Sequence, residues 1–281
     1  MTGESWRLLR HEAAPGAWNM AVDEVLLEEA IKGAGPVLRF YSWRPYALSL
    51  GHFQAGTVVD RASCAQAGVD VVRRPTGGRA VLHADEVTYS IILPSTHPIA
   101  QLGVIASYQA LSRGLTLGLA HLGIEAQLAR MEHAPAPLSA ATSEMGAQAA
   151  CFDAPSWYEL LAKGRKLVGS AQVRRSGALL QHGSIPLTLV PQDLYRLLSF
   201  SNQAVRERAQ QAFAAKAAGL RDVTSQRLTV DSVVDALING FRQAMACIMQ
   251  ADELTPAELV RAQELERKHA DPDWLWRRSK V

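Results

Sequence analysis

Strand-length apolar runs crowd the middle of this chain, and no regular helical repeat alternates with them. VLRFYSW from Val37 and ALSLGHF from Ala47 flank Arg44-Pro45, and VDVVRR from Val69 leads through a PTGG turn to AVLH and VTYSIIL. Further on, YELLA, KGR and KLVGSAQVRR read as a hairpin, and ALLQHGSIPLTL follows Ser176-Gly177 as another strand. Short runs of this composition, punctuated by Gly, Pro and Asp, are strand signals. Helical patterns surround them. Asn19 is placed to cap a helix over Met20–Ile31, with Val22, Val25, Leu26 and Leu27 as its apolar stripe. A short helix is expected near Asp60 to Ala67, and a longer one from Gly103 to Leu122, where Ile105, Tyr108, Leu111, Leu115, Leu119 and Leu122 recur at helical spacing. From Pro191 the chain reads as mostly helical, and Thr255, Pro256 and Glu258 mark the start of its last helix. Strands in the centre with helices around them make an α+β fold. With no repeat and no linker, residues 1–281 read as a single domain, with a core over about 33–250 and a helical C-terminal tail over about 251–281.

The 281 residues are 48% hydrophobic and 20% charged, ordinary for a globular chain with a sizeable core. No apolar run approaches the roughly 20 residues of a membrane helix. The charged N-terminus MTGESWRLLRHE has no apolar segment of the secretory type, so a cytoplasmic location is expected. The net charge of +2 argues against a nucleic-acid binder. The cations are nevertheless bunched, at Arg73, Arg74 and Arg79 and again at Lys163, Arg165, Lys166, Arg174 and Arg175. Such clusters are either solvated surface or a local field for an acidic or phosphate-bearing partner.

Three cysteines without a CxxC pair suit reduced thiols. Cys64 and Cys247 sit in helical, apolar surroundings and read as packing residues. Cys151 differs: it follows the Ala-, Pro- and Ser-rich stretch from Met131 to Ala150, read as a long loop, and polar residues follow it. Fifteen residues later Lys166 precedes Gly169, Ser170 and Ala171. An ammonium beside a thiol favours the nucleophilic thiolate. In RRPTGGRAVLH the glycine pair serves a tight turn, or lets a thin substrate lie against bare backbone. The stretch is neither a P-loop nor a dinucleotide fingerprint. His83 and His182 each read as a core histidine, an acid–base group or a pocket wall. Scattered histidines with no HxxxH argue against a metal site.

RRPTGGRAVLHADEVTYSIIL resembles the signature of the lipoate-protein ligase and lipoyl/octanoyltransferase superfamily, and GRKLVGSAQVRRSGALLQHGSIPL resembles its second signature. The similarity runs from WNMAVDEVLLEEA to DPDWLWRR. CFDAPSWYEL followed by GRKLVGSAQ is similar to the superfamily's cysteine-dependent octanoyltransferases. The resemblance implies a biotin/lipoate protein ligase-like catalytic domain with mixed, mostly antiparallel sheets flanked by helices. It implies Cys151 as nucleophile and Lys166 as the residue that lowers its pKa. Arg74, Gly77, Gly78, Arg79 and His83 would bind the substrate, with Gly169, Ser170 and Ala171 opposite.

The activity so implied moves octanoate from octanoyl-acyl carrier protein, through a Cys151 thioester, to a lysine of an apo lipoyl domain. The glycine-cleavage H protein is the expected acceptor. No cofactor, nucleic acid or membrane partner is implied, and a monomer is expected. Three alternatives stay open: an ATP-dependent lipoate-protein ligase, an amidotransferase moving octanoyl between lipoyl domains, and a non-catalytic binder of lipoyl domains.

Overall fold

A computed structural model describes residues 3–130 and 158–276 of the chain. The strands are β1 Ser5–Arg10, β2 Val37–Tyr41, β3 Ala47–Leu50, β4 Asp70–Arg73, β5 Val81–His83, β6 Glu86–Leu93, β7 Gln127–Arg130, β8 Tyr158–Ala162, β9 Arg165–Arg175, β10 Ala178–Pro186 and β11 Ile248–Ala251. The helices are α1 Gly16–Ile31, α2 Arg61–Gln66, α3 Pro98–Gln101, α4 Val104–His121, α5 Pro191–Tyr195, α6 Gln203–Lys216, α7 Leu220–Val223, α8 Val230–Met245, α9 Pro256–Ala270 and α10 Pro272–Leu275.

Eight strands form one sheet in the order β11-β1-β2-β6-β10-β9-β8-β7, and β4-β3-β5 form a second. Strand β1 is parallel to both its neighbours, whereas every pair from β2–β6 to β7–β8 is antiparallel. The expected mixed, mostly antiparallel α+β architecture is therefore present. Helices α4 and α8 cover one face, burying Leu111, Leu115, Leu119, Leu237 and Phe241 against Tyr89 and Ile91. Helices α1 and α9 pack together against the other, with Leu26, Val25 and Leu265 in a cluster with Ile92 and Leu180. Each such fully buried side chain contributes about 1.5–3 kcal/mol, so the central strands β6 and β10, buried along their whole length, are held from both sides. No helix of the described residues is long and apolar enough to cross a membrane.

Local chemistry explains most of these elements. Lys163 and Gly164 both take positive φ, 49° and 75°, as a two-residue hairpin turn between β8 and β9 requires. Thr255 accepts from Glu258 N, and Glu258 accepts from Thr255 N, completing the expected capping box. Asp60 likewise caps α2 through Ser63 N.

Three features differ from the sequence expectation. Asn19 does not cap a helix: α1 begins at Gly16 behind Pro15, and Asn19 lies inside it, buried. Its amide donates to Ser42 O at 2.9 Å and accepts from Arg39, so a tertiary network claims the group that reads as a cap. Strand β1 in the charged N-terminus and strand β11 in the helical C-terminal part are both additional. They pair with each other in parallel, and β1 pairs with β2 as well; such long-range pairing makes these short segments strands.

Candidate functional site

Strand β4 ends in Arg73, Arg74 follows it, and the charges of both are directed inward. Arg73, fully buried, donates to the backbone oxygens of Gly51 (2.7 Å), Gln54 (2.6 Å) and Leu275 (2.7 Å). Arg74, also buried, donates to Gly77 O at 2.8 Å, Arg79 O at 2.7 Å, and Ser49 O and Oγ at 3.0 and 3.1 Å. Neither is solvated surface: Arg73 donates to carbonyls, and Arg74 donates to carbonyls and to the Ser49 hydroxyl. Arg74 thereby shapes the Gly77–Arg79 turn. Gly78 has φ +95°, and its carbonyl lies where a Cβ on Gly51 would come within 1.9 Å, so the β3 and β4 ends meet through bare backbone.

Behind this turn lie two buried histidines. His83 Nδ1 meets Glu86 Oε1 at 2.7 Å, Nε2 meets Ser49 Oγ at 2.8 Å, and the ring stacks on Trp43 at 4.1 Å. His182 Nδ1 meets Asp23 Oδ2 at 3.0 Å and Nε2 meets Thr76 Oγ1 at 2.6 Å. A carboxylate only accepts, so each Nδ1–H donates to its acid, while each Nε2 meets a hydroxyl. Burial pushes the pKa of His182 down, against the pull of Asp23, so the ring is held neutral. Asp23 itself is fully buried and paired with Arg39 at 2.7 Å. Burial would raise its pKa, but Arg39 and His182 together outweigh that and hold it at about 2. Tyr41 OH and Ser90 Oγ complete its coordination at 3.0 and 2.8 Å.

Strand register brings the second motif to the same place. His182, Gly183 and Ser184 on β10 face Ala171, Ser170 and Gly169 on β9. The result is a slot of about 30 Å³, lined among others by Met20, Trp43, Arg74, His83, Ser170 and His182. Its polar walls already have partners, so an apolar chain could enter without stranding a buried donor or acceptor.

Of the residues singled out from sequence, Arg74, His83, Gly169, Ser170 and Ala171 line this slot. Gly77, Gly78 and Arg79 form the turn that Arg74 holds. Lys166 is on β9, four residues before Ser170, and the β8–β9 register shifts between Lys166 and Val168, so the two side chains do not share a face by simple alternation. It is buried, and its Nζ donates to Glu159 Oε1 at 2.9 Å. Cys151 and the loop from Met131 to Ala150 lie outside the described residues. Sequence reading missed Asp23, Met20, Trp43 and Ser49. The available signal was Asn19 and Asp23, two polar residues four apart on the apolar helix α1 and therefore on one face.

The fold is that of lipoate-attaching enzymes. It superposes with a TM-score of 0.75 on lipoate-protein ligase A bound with ATP, at 24% identity over 98% of this chain and 99% of that one. With the bipartite lipoate protein ligase of Thermoplasma acidophilum the score is 0.77, at 22% identity and full coverage of both chains. Residues 15–242 match the lipoyl protein ligase A/B catalytic domain. The chain is 42% identical to octanoyltransferase LipM of Kyrpidia tusciae, over 98% of this chain and all of that protein. It is 44% identical to octanoyltransferase LipM of Carboxydothermus hydrogenoformans, over 98% of this chain and 99% of that one. The chain belongs to the lipoyl protein ligase A/B catalytic-domain family and, within it, to the octanoyltransferases named LipM.

Proposed function

We propose that this protein transfers an octanoyl group from the thioester of acyl carrier protein to a lysine of an apo lipoyl domain, through a thioester on Cys151. The observation that carries the reading is full-length similarity to octanoyltransferases, at more than 40% identity. It coincides with a slot built from both signature segments. The Cys151 thiolate attacks the octanoyl carbonyl, a new C–S bond forms, and the carrier thiolate leaves and takes a proton. The neutral ε-amine of the acceptor lysine then attacks the enzyme thioester. An amide forms, the amine loses its proton, and Cys151 is released as thiolate. The donor is already activated, so no nucleotide enters the cycle, and one difficult transfer becomes two easier ones.

Arg74, His83, Gly169, Ser170 and Ala171 hold the acyl chain, and the Lys166 ammonium favours the Cys151 thiolate by its charge. For the developing oxyanion, Gly77 and Gly78 are the better donors of the two glycine segments. Gly169 and Ser170 lie in ladder register with Ser184 and Gly183, whereas Gly78 is an exposed turn residue. The glycine-cleavage H protein is the acceptor this reading favours.

Intact mass spectrometry with octanoyl-acyl carrier protein, followed by an apo lipoyl domain without ATP, tests the reading. The expected result is one hydroxylamine-labile octanoyl adduct that then passes to the lipoyl domain. Attachment of free lipoate only in the presence of ATP would establish a ligase instead.

A further inference from the structure

The slot beside His83 and His182 is smaller than the chain it would hold. About 30 Å³ is room for little more than a water, whereas sites that bury a small organic ligand start near ~300 Å³. Some wall must give, and most are pinned. Trp43 stacks on His83 and donates its indole N–H to Thr88 at 2.7 Å. Tyr41 is tied to Asp23, and His182 is held at both ring nitrogens. At Gly183 the packing is so close that a Cβ would sit 2.6 Å from Tyr89 Cε1. Ser184 is bonded to Glu86 at 2.5 Å.

Val81 is different. Its isopropyl group makes no hydrogen bond, and it lines both the slot and a second cavity of about 170 Å³; Ser184 also lines both, but is held by Glu86. The walls of that second cavity include Leu82, Leu189, Leu194 and Phe213. In an interior packed like a crystal, a side chain backed by empty space moves at far lower cost than one backed by atoms. We propose that Val81 is the yielding wall of the acyl slot, that the cavity behind it takes up the displaced volume, and that Val81 thereby sets the length of chain accepted. This rests on the acyl-transfer reading and names a specificity-determining residue within it.

The test compares rates of acyl-enzyme formation from hexanoyl-, octanoyl- and dodecanoyl-acyl carrier protein, with melting temperatures taken in parallel. Val81→Ala joins the two cavities and should raise the dodecanoyl-to-octanoyl ratio by about tenfold or more, the discrimination a methylene commands in an apolar pocket. Val81→Ile adds one methylene at the same place and should move the preference toward hexanoyl. Leu189→Trp fills the second cavity from behind and should slow octanoyl loading while the fold persists. Unchanged chain-length ratios in both Val81 variants, with octanoyl loading intact, would overturn the proposal. If the unmodified protein takes up no acyl group of any length, the acyl-transfer reading itself falls, and the proposal falls with it.

Discussion

Across the β8–β9 hairpin the Lys166 ammonium donates to the Glu159 carboxylate at 2.9 Å, and both side chains are buried. A cation and an anion out of water stabilise each other, and removal of one takes that compensation from the other. Lys166→Met and Glu159→Met should therefore each destabilise the fold by about 3 kcal/mol, and the double variant by clearly less. Urea unfolding of the four proteins measures this coupling. Additive losses would show that the pair does not act as a unit.

On the role proposed for Lys166, Lys166→Met should also slow acylation of Cys151. The midpoint of iodoacetamide alkylation against pH should move upward relative to the unmodified protein. An unmoved midpoint would remove this role for Lys166. Cys151→Ser should abolish the hydroxylamine-labile adduct while leaving the melting temperature unchanged.

Acid should weaken the fold in two stages. Burial, with the charge of Arg39, pushes His11 down from an ordinary 6.5 to about 4, and burial lowers His182 as well. For a base whose folded pKa is depressed, the unfolded chain binds more protons. Stability is therefore complete above about 6.5 and falls as pH drops below it, with the His11 contribution exhausted near 4. Asp23 is held at about 2 against an ordinary 3.8, so its contribution is present above 3.8 and is lost as pH falls toward 2. Urea midpoints recorded between about pH 7 and pH 3 should show the first decline before ordinary carboxylates titrate. Replacement of His11 by Gln should flatten it.

Gly51→Ala places a methyl group where the Gly78 carbonyl now sits, within 1.9 Å. Backbone must move, so the cost should reach or exceed the 1–3 kcal/mol typical of overpacking, or about 2 kcal/mol at least. Because Arg74 clamps the same turn, octanoyl loading should fall along with the melting temperature. A variant of normal stability and activity would show that the two loops can part freely.

Much of the local structure was legible in the sequence. Lys163-Gly164 demanded a hairpin turn, Thr255 and Glu258 demanded a helix start, and Gly77-Gly78 demanded a turn after β4; in each case the residue's own backbone or hydrogen-bonding chemistry sufficed. Asn19 misled because an amide reads the same whether it caps a helix or serves a buried arginine. Arg73 and Arg74 misled because a cluster of cations carries no mark of whether it faces water or carbonyl oxygens.

What the sequence by itself determined is therefore most of the local elements, though not β1 or β11, the α+β class and the two signature segments that mark the family. Only the tertiary structure decided that Ser49 on β3, His83 on β5 and His182 on β10 meet around one slot, that Asp23 on α1 holds His182, and that Lys166 rests against Glu159. Those meetings are set by strand register and by which charges share a buried volume. Both arise from contacts between segments far apart in the chain, which no local pattern of residues encodes.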